Sequence, residues 1–230
     1  QSAGLTREEL NDMVQHAVIV YVADLDGLVL SDILDGAIRA VNYGSYVWLE
    51  LDDIQYQQLQ NSGLHFEEEA EYGQIYIGGH NFDPVTADQP RASVAGLDYS
   101  PETPDGYSLQ LVQIRGPMTD EAGSLLETAG NVIQYVPNHT YLIWLDVEGL
   151  ALVQASQHVR WVGPYYSASR ISPRLREEQV ADSGLVPFLQ VLVLDDGDLA
   201  KVAETIRDLG GSLLNSAPRH AIGETIAMAT

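Results

Sequence analysis

The sequence contains no cysteine and few basic residues. Without cysteine, the chain can form neither a disulfide nor a thiolate metal site, and it has no cysteine nucleophile. Lys and Arg number 11 against 33 Asp and Glu, so the formal net charge is −22 at pH 7. Nucleic acids and anionic membranes are bound through basic surfaces, so the composition argues against both kinds of partner. An acidic surface spread along the chain favours solubility.

Long apolar runs are also missing. The longest, at 17–23 and 189–194, have the length of strands, whereas a membrane-spanning helix needs about 20 apolar residues. Hydrophobic residues still make up 45% of the chain, which is enough for globular units with cores of their own. The chain starts with QSAG, which suits a protein whose signal peptide has been removed and suits an expression boundary equally well.

Residues 1–84 predict a divergent first α+β unit. Thr6 and Glu9 form a capping-box pattern at the start of a helix. Asp52 is placed to cap a later helix, whose Ile54 and Leu59 are expected to face the core. The spacing of apolar residues predicts, in chain order, a helix at 6–16, a strand at 17–22, a helix at 28–41, a strand at 46–51, a helix at 52–60 and strands at 64–66 and 74–77.

A second predicted α+β repeat follows a linker. The stretch 85–106 is rich in Pro, Gly, Asp and Ser, which predicts a linker or long loop. The unit at 107–176 then predicts a strand at 107–114, a helix at 119–129, strands at 132–136 and 141–145, a helix at 147–157 and a strand at 158–162. The order β-α-β-β-α-β is that of the ferredoxin-like split β-α-β fold, in which two helices cover one face of an antiparallel sheet.

Short internal matches indicate duplication of this unit. LQVLVL at 189–194 matches LQLVQI at 109–114, and WLE at 48–50 matches WLD at 144–146. We therefore predict an α+β chain of tandem ferredoxin-like repeats with antiparallel sheets, in which 177–230 is an incomplete third copy. Its helix carries Leu199, Ile206 and Leu209 on one face, and a strand at 221–227 follows. Because a helix and a strand are then missing, we expect either that the native polypeptide continues past Thr230 or that a partner takes their place.

Motifs for catalysis or metal binding are weak. The sequence holds no G-x-S-x-G nucleophile motif, so we predict no catalytic residue and no enzymatic activity for this chain itself. The acidic segment at 24–27, DLDG, invites comparison with a calcium loop. An EF-hand loop needs an oxygen ligand at its fifth position and Glu at its twelfth, where this chain has Leu28 and Asp35. A turn with a helix cap explains the segment better, so no cofactor is predicted and Ca²⁺ remains only a weak alternative.

Several phrases carry a family resemblance. VRWVGPY at 159–165, with ISP at 171–173, and YGSYVWLEL at 43–51 are similar to segments of the N-terminal regions of large bacterial and archaeal subtilases, the subtilisin-like serine peptidases. FDP at 82–84 and QIRGP at 113–117 resemble them more loosely. The resemblance spans roughly 42–217. In that family, such repeats precede the peptidase domain and resemble its propeptide in fold.

The resemblance implies a function by binding. It predicts a non-catalytic pro-region of a secreted, extracellular subtilisin-like serine peptidase, which acts as an intramolecular chaperone and inhibitor or as an accessory module. The partner is the peptidase domain, in cis or in trans. A free-standing peptidase inhibitor and a ferredoxin-like ligand-sensing or structural module are the alternatives. The candidate contact residues are Trp161, Tyr165, Tyr166, Ile222, Ile226 and Met228.

Overall fold

The computed structural model describes residues 6–14, 16–22, 35–90, 102–103, 105–172, 188–193, 199–219 and 223–229. These residues form an α+β fold in which every strand pairing is antiparallel. The chain divides into two compact units, Gln1–Pro173 and Arg174–Thr230. The first unit contains two four-stranded sheets and a two-stranded hairpin, and the second contains a three-stranded sheet.

The first sheet has the strand order β2-β3-β1-β4. Its elements are α1 (Arg7–Met13), β1 (His16–Tyr21), β2 (Arg39–Asn42), β3 (Tyr46–Leu51), α2 (Asp53–Asn61) and β4 (Phe66–Glu68). Capping boxes start both helices, at Thr6 for α1 and at Asp52 for α2, as their sequence patterns predict. Leu59 of α2 is buried in a cluster with Val18 of β1 and Leu49 of β3.

Two expectations for this sheet are wrong. The helix predicted at 28–41 does not extend to its predicted end, because Arg39–Asn42 forms β2; residues 23–34 lie outside the described part. At 39–42, pairing with β3, which sets Val41 opposite Trp48, overrides the helical spacing of apolar residues. Ile54, expected to face the core, is 68% exposed on α2. This short helix instead packs on the sheet through the buried Leu59, with Tyr56 partly buried against the same cluster.

A hairpin follows the first sheet. It consists of β5 (Ile75–Ile77) and β6 (His80–Phe82), of which the sequence predicts only the first strand. Gly78 and Gly79, both with positive φ, make the turn between them. Ile75 and Phe82 are buried, so the hairpin packs its apolar side against the rest of the unit.

The second sheet has the strand order β10-β7-β9-β8. Its elements are β7 (Ser108–Ile114), α3 (Asp120–Ala129), β8 (Gly130–Val136), β9 (Thr140–Leu145), α4 (Val147–Ala155) and β10 (Val159–Pro164), with a 3-10 helix at Ser167–Arg170. All six main elements are those that the sequence predicts. Val112, Leu126 and Val153 belong to the buried cluster between this sheet and its two helices.

The third sheet, in the second unit, has three strands in the order β11-β13-β12. Its elements are β11 (Phe188–Val193), α5 (Leu199–Asp208), β12 (Ser212–Arg219) and β13 (Gly223–Ala229). Ile206 is buried where α5 packs on the sheet, with Leu199 partly buried beside it. Leu209, expected inward, is 83% exposed because α5 ends before it.

Candidate partner-binding surfaces

Trp161 is the first of the predicted contact residues, and it lies on β10. Its ring meets that of Phe82 edge to face, with centroids 6.3 Å apart. The indole also covers Gly163, where a β-carbon would come within 2.0 Å of the ring. Trp161 is half-buried, and its contacts join the hairpin to β10. Its ring therefore packs largely inside the first unit.

Tyr165 and Tyr166 follow directly on β10. The backbone N–H of Tyr165 donates to the carbonyl of Leu109 at 3.0 Å, and its hydroxyl donates to the carbonyl of Ser169 at 3.2 Å. Burial raises the pKa of Tyr165, although the nearby Arg170 opposes the shift. Tyr166 precedes the 3-10 helix as its N-terminal cap residue. The structure thus places Trp161, Tyr165 and Tyr166 along one edge of the second sheet, with Trp161 opposite Gln113 and Tyr165 bonded to Leu109.

The backbone edge beside these aromatic residues is partly occupied. Asn11 Nδ2 donates to the carbonyl of Arg160 at 3.0 Å, and Gln89 Nε2 donates to the carbonyl of Pro164 at 2.9 Å. Pro164 also has no N–H to offer to another strand. A partner that approached β10 would therefore find side chains, rather than backbone groups, at these two positions.

The remaining predicted contact residues belong to the second unit. Ile222 lies outside the described residues. Ile226 and Met228 are on β13, the central strand of the third sheet. Ile226 is paired with Val191 of β11 on one side and with Ser216 of β12 on the other. The backbone of β13 is thus occupied along both of its edges.

A buried polar cluster lies between the first two sheets, and sequence reasoning missed it. Arg115 Nη1 is 3.0 Å from Glu50 Oε1, and both side chains are fully buried. Glu50 also accepts from the hydroxyl of Tyr72, and Arg115 also donates to the carboxamide oxygen of Asn11. Burial, followed by the charge of Glu50, raises the pKa of Tyr72 well above its ordinary value. Segments of both sheets and α1 therefore meet at one ion pair.

A second ion pair continues this cluster. Arg160 on β10 contacts Asp83 through two parallel hydrogen bonds of 2.8 and 2.9 Å. Its guanidinium also donates to Gln113 Oε1 at 2.8 Å and lies 5.2 Å from the ring centroid of Tyr72. Gly73 packs against this guanidinium, and a β-carbon there would come within 2.7 Å of it. Paired geometry of this kind holds a guanidinium rigidly.

Glu69 forms the third polar contact between the two sheets. Its carboxylate accepts from Trp48 Nε1 at 2.9 Å and contacts His139 Nε2 at 2.8 Å. Burial opposes ionisation of Glu69, but the hydrogen bonds from His139 and Trp48 outweigh it and hold its pKa below the ordinary value. Glu69 follows β4 of the first sheet, whereas His139 lies in the turn between β8 and β9 of the second.

These contacts cover the faces of both sheets that carry no helix. Every residue of β7 is buried, and so is every residue of β3 after the first. Side chains alternate along a strand, so Trp48 and Gln113 point away from the helices of their sheets. The covering residues come from α1, the hairpin and the segment between β4 and β5. Charged residues inside otherwise apolar strands, at Glu50 and Arg160, are the sequence signal that could have revealed this interface.

Comparisons with known proteins add one match. A family model described as a domain of unknown function, DUF8729, matches residues 76–166, which include most of the hairpin and the whole second sheet. No curated protein and no solved structure matches the chain. The comparisons therefore connect part of the first unit to a recurring domain and leave its biochemical role open.

Two further expectations concern metals and membranes. Among the described residues, no group of three or more His, Asp or Glu side chains is placed to hold a metal ion. The DLDG segment at 24–27, considered for Ca²⁺, lies outside them. None of the described helices has the length and apolar character needed to cross a bilayer.

Proposed function

We propose that the chain is a non-catalytic pro-region of a secreted subtilisin-like serine peptidase, built from tandem ferredoxin-like repeats. It acts by binding the peptidase domain, in cis or in trans. The sequence resemblance motivates this function, and the fold is compatible with it. The observation that carries the mechanism is a strand edge in the second unit.

The strand orders support the duplicated architecture. Numbered within each sheet, the first and second sheets share the order second-third-first-fourth, read from one edge. In both, a helix connects the third strand to the fourth. The third sheet repeats the order second-third-first and has no fourth strand among the described residues. Three sheets with one connectivity are what duplication of a split β-α-β unit produces.

The first unit is poorly suited to be the main contact. A propeptide-like module would bind through a sheet face and a strand edge. The helix-free faces of the first two sheets are already covered by the clusters around Glu50, Arg160 and Glu69. The first unit then acts as an accessory or spacing module.

The edge strand β11 is the better candidate. It pairs with β13 on one side, and no described strand pairs with its other side. In the first two sheets, the corresponding position is taken by β4 and β10. An extended segment of the peptidase can add there by main-chain hydrogen bonds. The charge of −22 favours a basic surface around that segment.

Inhibition tests this function directly. The full chain is added to the subtilisin-like peptidases of the organism that encodes it, and cleavage of a chromogenic peptide is followed. We expect slowed cleavage with an inhibition constant of about 1 µM or lower, since complexes of proteases with their protein inhibitors are among the tightest known. Unchanged cleavage, together with unchanged recovery of refolded peptidase, would contradict the proposal.

Two proline variants locate the contact. Successive residues of an antiparallel strand direct their N–H groups to opposite neighbours. Of Gln190→Pro and Val191→Pro, one therefore removes a bond to β13 and the other removes a donor from the free edge. We expect the variant that loses a bond to β13 to have a lower melting temperature in the second unit. The variant that loses a donor from the free edge should keep the wild-type melting temperature but inhibit about tenfold or more weakly. Equal inhibition by the thermally unaffected variant and the wild type would exclude β11 as the contact.

A further inference from the structure

A cleft in the first unit lies between the edge strand β2 and the start of α3. Its volume is about 360 Å³, within the range of small-molecule sites, about 300–1,000 Å³. Its polar lining consists of Arg39, Asn42, Thr119, Glu121, Gln157 and His158. The cleft belongs to neither the buried polar clusters nor the strand edge of the proposed function.

One wall of the cleft carries an arginine and a neutral histidine. Arg39 Nη2 is 3.4 Å from His158 Nδ1. A guanidinium can only donate, so Nδ1 accepts and the imidazole proton lies on Nε2. Burial and the charge of Arg39 lower the pKa of His158, although Glu121 opposes the shift. Arg39 has no carboxylate within 4.0 Å among the described residues.

The other wall carries a carboxylate. Glu121 is exposed in the first turn of α3. Hydrogen bonds from its own backbone N–H and from Thr119 lower its pKa, and the charge of Arg39 adds to the effect. Glu121 is therefore close enough to Arg39 to feel its charge, yet the two form no direct ion pair. Arg39 and Glu121, which form no ion pair in the part of the chain that the structure describes, thus border the same small cleft.

This arrangement complements a dipolar ligand. A simple anion would be repelled by Glu121 and by the net charge of −22 on the chain. A simple cation would be repelled by Arg39. A molecule with a carboxylate and an ammonium group satisfies both side chains and carries no net charge, so the field of the chain does not repel it. Leu10, Ala40 and Val41 line the remaining wall and offer apolar contact to a short aliphatic side chain.

We propose that this cleft binds a free α-amino acid with a small aliphatic side chain. Its carboxylate is bound by Arg39 and by the Nε2–H of His158. Its ammonium group is bound by Glu121. The site would make the first unit a sensor of free amino acids, in addition to the proposed binding of a peptidase.

Thermal unfolding of the full chain tests the site with three matched probes. L-valine carries both charges, N-acetyl-L-valine only the carboxylate, and L-valinamide only the ammonium group. At about 10 mM, we expect L-valine to raise the melting temperature of the first unit by about 2–4 °C and the other two to leave it unchanged. Equal stabilisation by either analogue, or none by glycine, alanine, valine and leucine alike, would overturn the proposal.

Charge-removing variants give the second arm. Arg39→Gln and Glu121→Gln should each weaken valine binding, measured by calorimetry, about tenfold or more. Glu127→Gln on α3 and Arg207→Gln on α5 make the same charge changes at exposed positions and should bind as the wild type does. Arg39→Lys keeps the charge without the planar fork and should bind with intermediate affinity. Wild-type affinity in both Arg39→Gln and Glu121→Gln would refute the assignment.

Discussion

The ion pair of Glu50 and Arg115 is the most deeply buried charged contact of the described residues. Both side chains have no exposed surface, yet Glu50 Oε2 and Arg115 Nε find no hydrogen-bond partner in the described part of the chain. Desolvation of two charges is costly, and an incompletely bonded pair recovers only part of that cost. We therefore infer that this pair selects which surfaces meet, rather than adding net stability.

Breaking the pair on one side should be costly. Arg115→Met leaves the buried carboxylate of Glu50 without its counterion and should lower the free energy of unfolding by about 3–5 kcal/mol. Glu50→Gln together with Arg115→Met removes both charges and keeps an acceptor for Tyr72, so the double variant should recover most of that loss. Urea unfolding followed by tryptophan fluorescence measures both. A double variant that loses as much as the sum of its single variants would contradict this account.

The Glu69 contact predicts a pH dependence. The pKa of Glu69 is lower in the folded chain than its ordinary value of 4.5. Its ionised form therefore stabilises the fold above that ordinary value, and the contribution is lost as pH falls through the folded-state pKa. We expect the difference in unfolding free energy between wild type and Glu69→Gln to shrink as the pH falls from about 6 to about 3. Glu127→Gln, at an exposed position, should show a much flatter difference, and a flat difference for Glu69→Gln would contradict the assignment.

At the scale of elements, local patterns predicted most helices and strands. The capping residues Thr6, Asp52 and Thr119 each accept a backbone N–H at the start of their helix, because a cap depends only on residues three positions apart. The strand β2 was missed, because its pairing with β3 is a contact between segments that periodicity does not detect. The same limit explains β6, which depends on its hairpin partner.

The crossing of α3 and α4 depends on one glycine. A β-carbon at Gly149 would lie 1.9 Å from the carbonyl oxygen of Ala129, so only glycine allows this approach. Gly149→Ala should therefore lower the free energy of unfolding by about 1–3 kcal/mol through overpacking. That outcome is opposite to helix propensity, which favours alanine by about 1 kcal/mol.

A second glycine provides the matched control for this prediction. At Gly123 of α3, the nearest atom to an added β-carbon is Met118 Sδ at 3.7 Å, an ordinary contact. Gly123→Ala should therefore stabilise the chain by up to about 1 kcal/mol. Thermal unfolding of both variants is the measurement, and stabilisation by Gly149→Ala would show that the two helices are not in close contact there.

The whole molecule combines an acidic exterior with charged groups in the interior of its first unit. Of the 11 basic residues, Arg115 and Arg160 are used in buried pairs between the first two sheets. Those pairs join segments far apart in the chain, including α1 and β10. The proposed roles of the two units follow at this scale: in the first unit the helix-free sheet faces are covered, and in the second the strand edge of β11 is the proposed contact for a partner.

Local sequence was sufficient to establish the α+β class, the order of the elements that build the second sheet, and the helix caps at Thr6 and Asp52. These features depend on side-chain alternation, helical spacing and neighbours a few residues apart, which one sequence displays. Tertiary structure alone revealed that Glu50 meets Arg115, that Trp161 packs on Phe82, and that Arg39 and Glu121 border one cleft. Such contacts join residues distant in the chain, and they exist only after sheets have formed and packed.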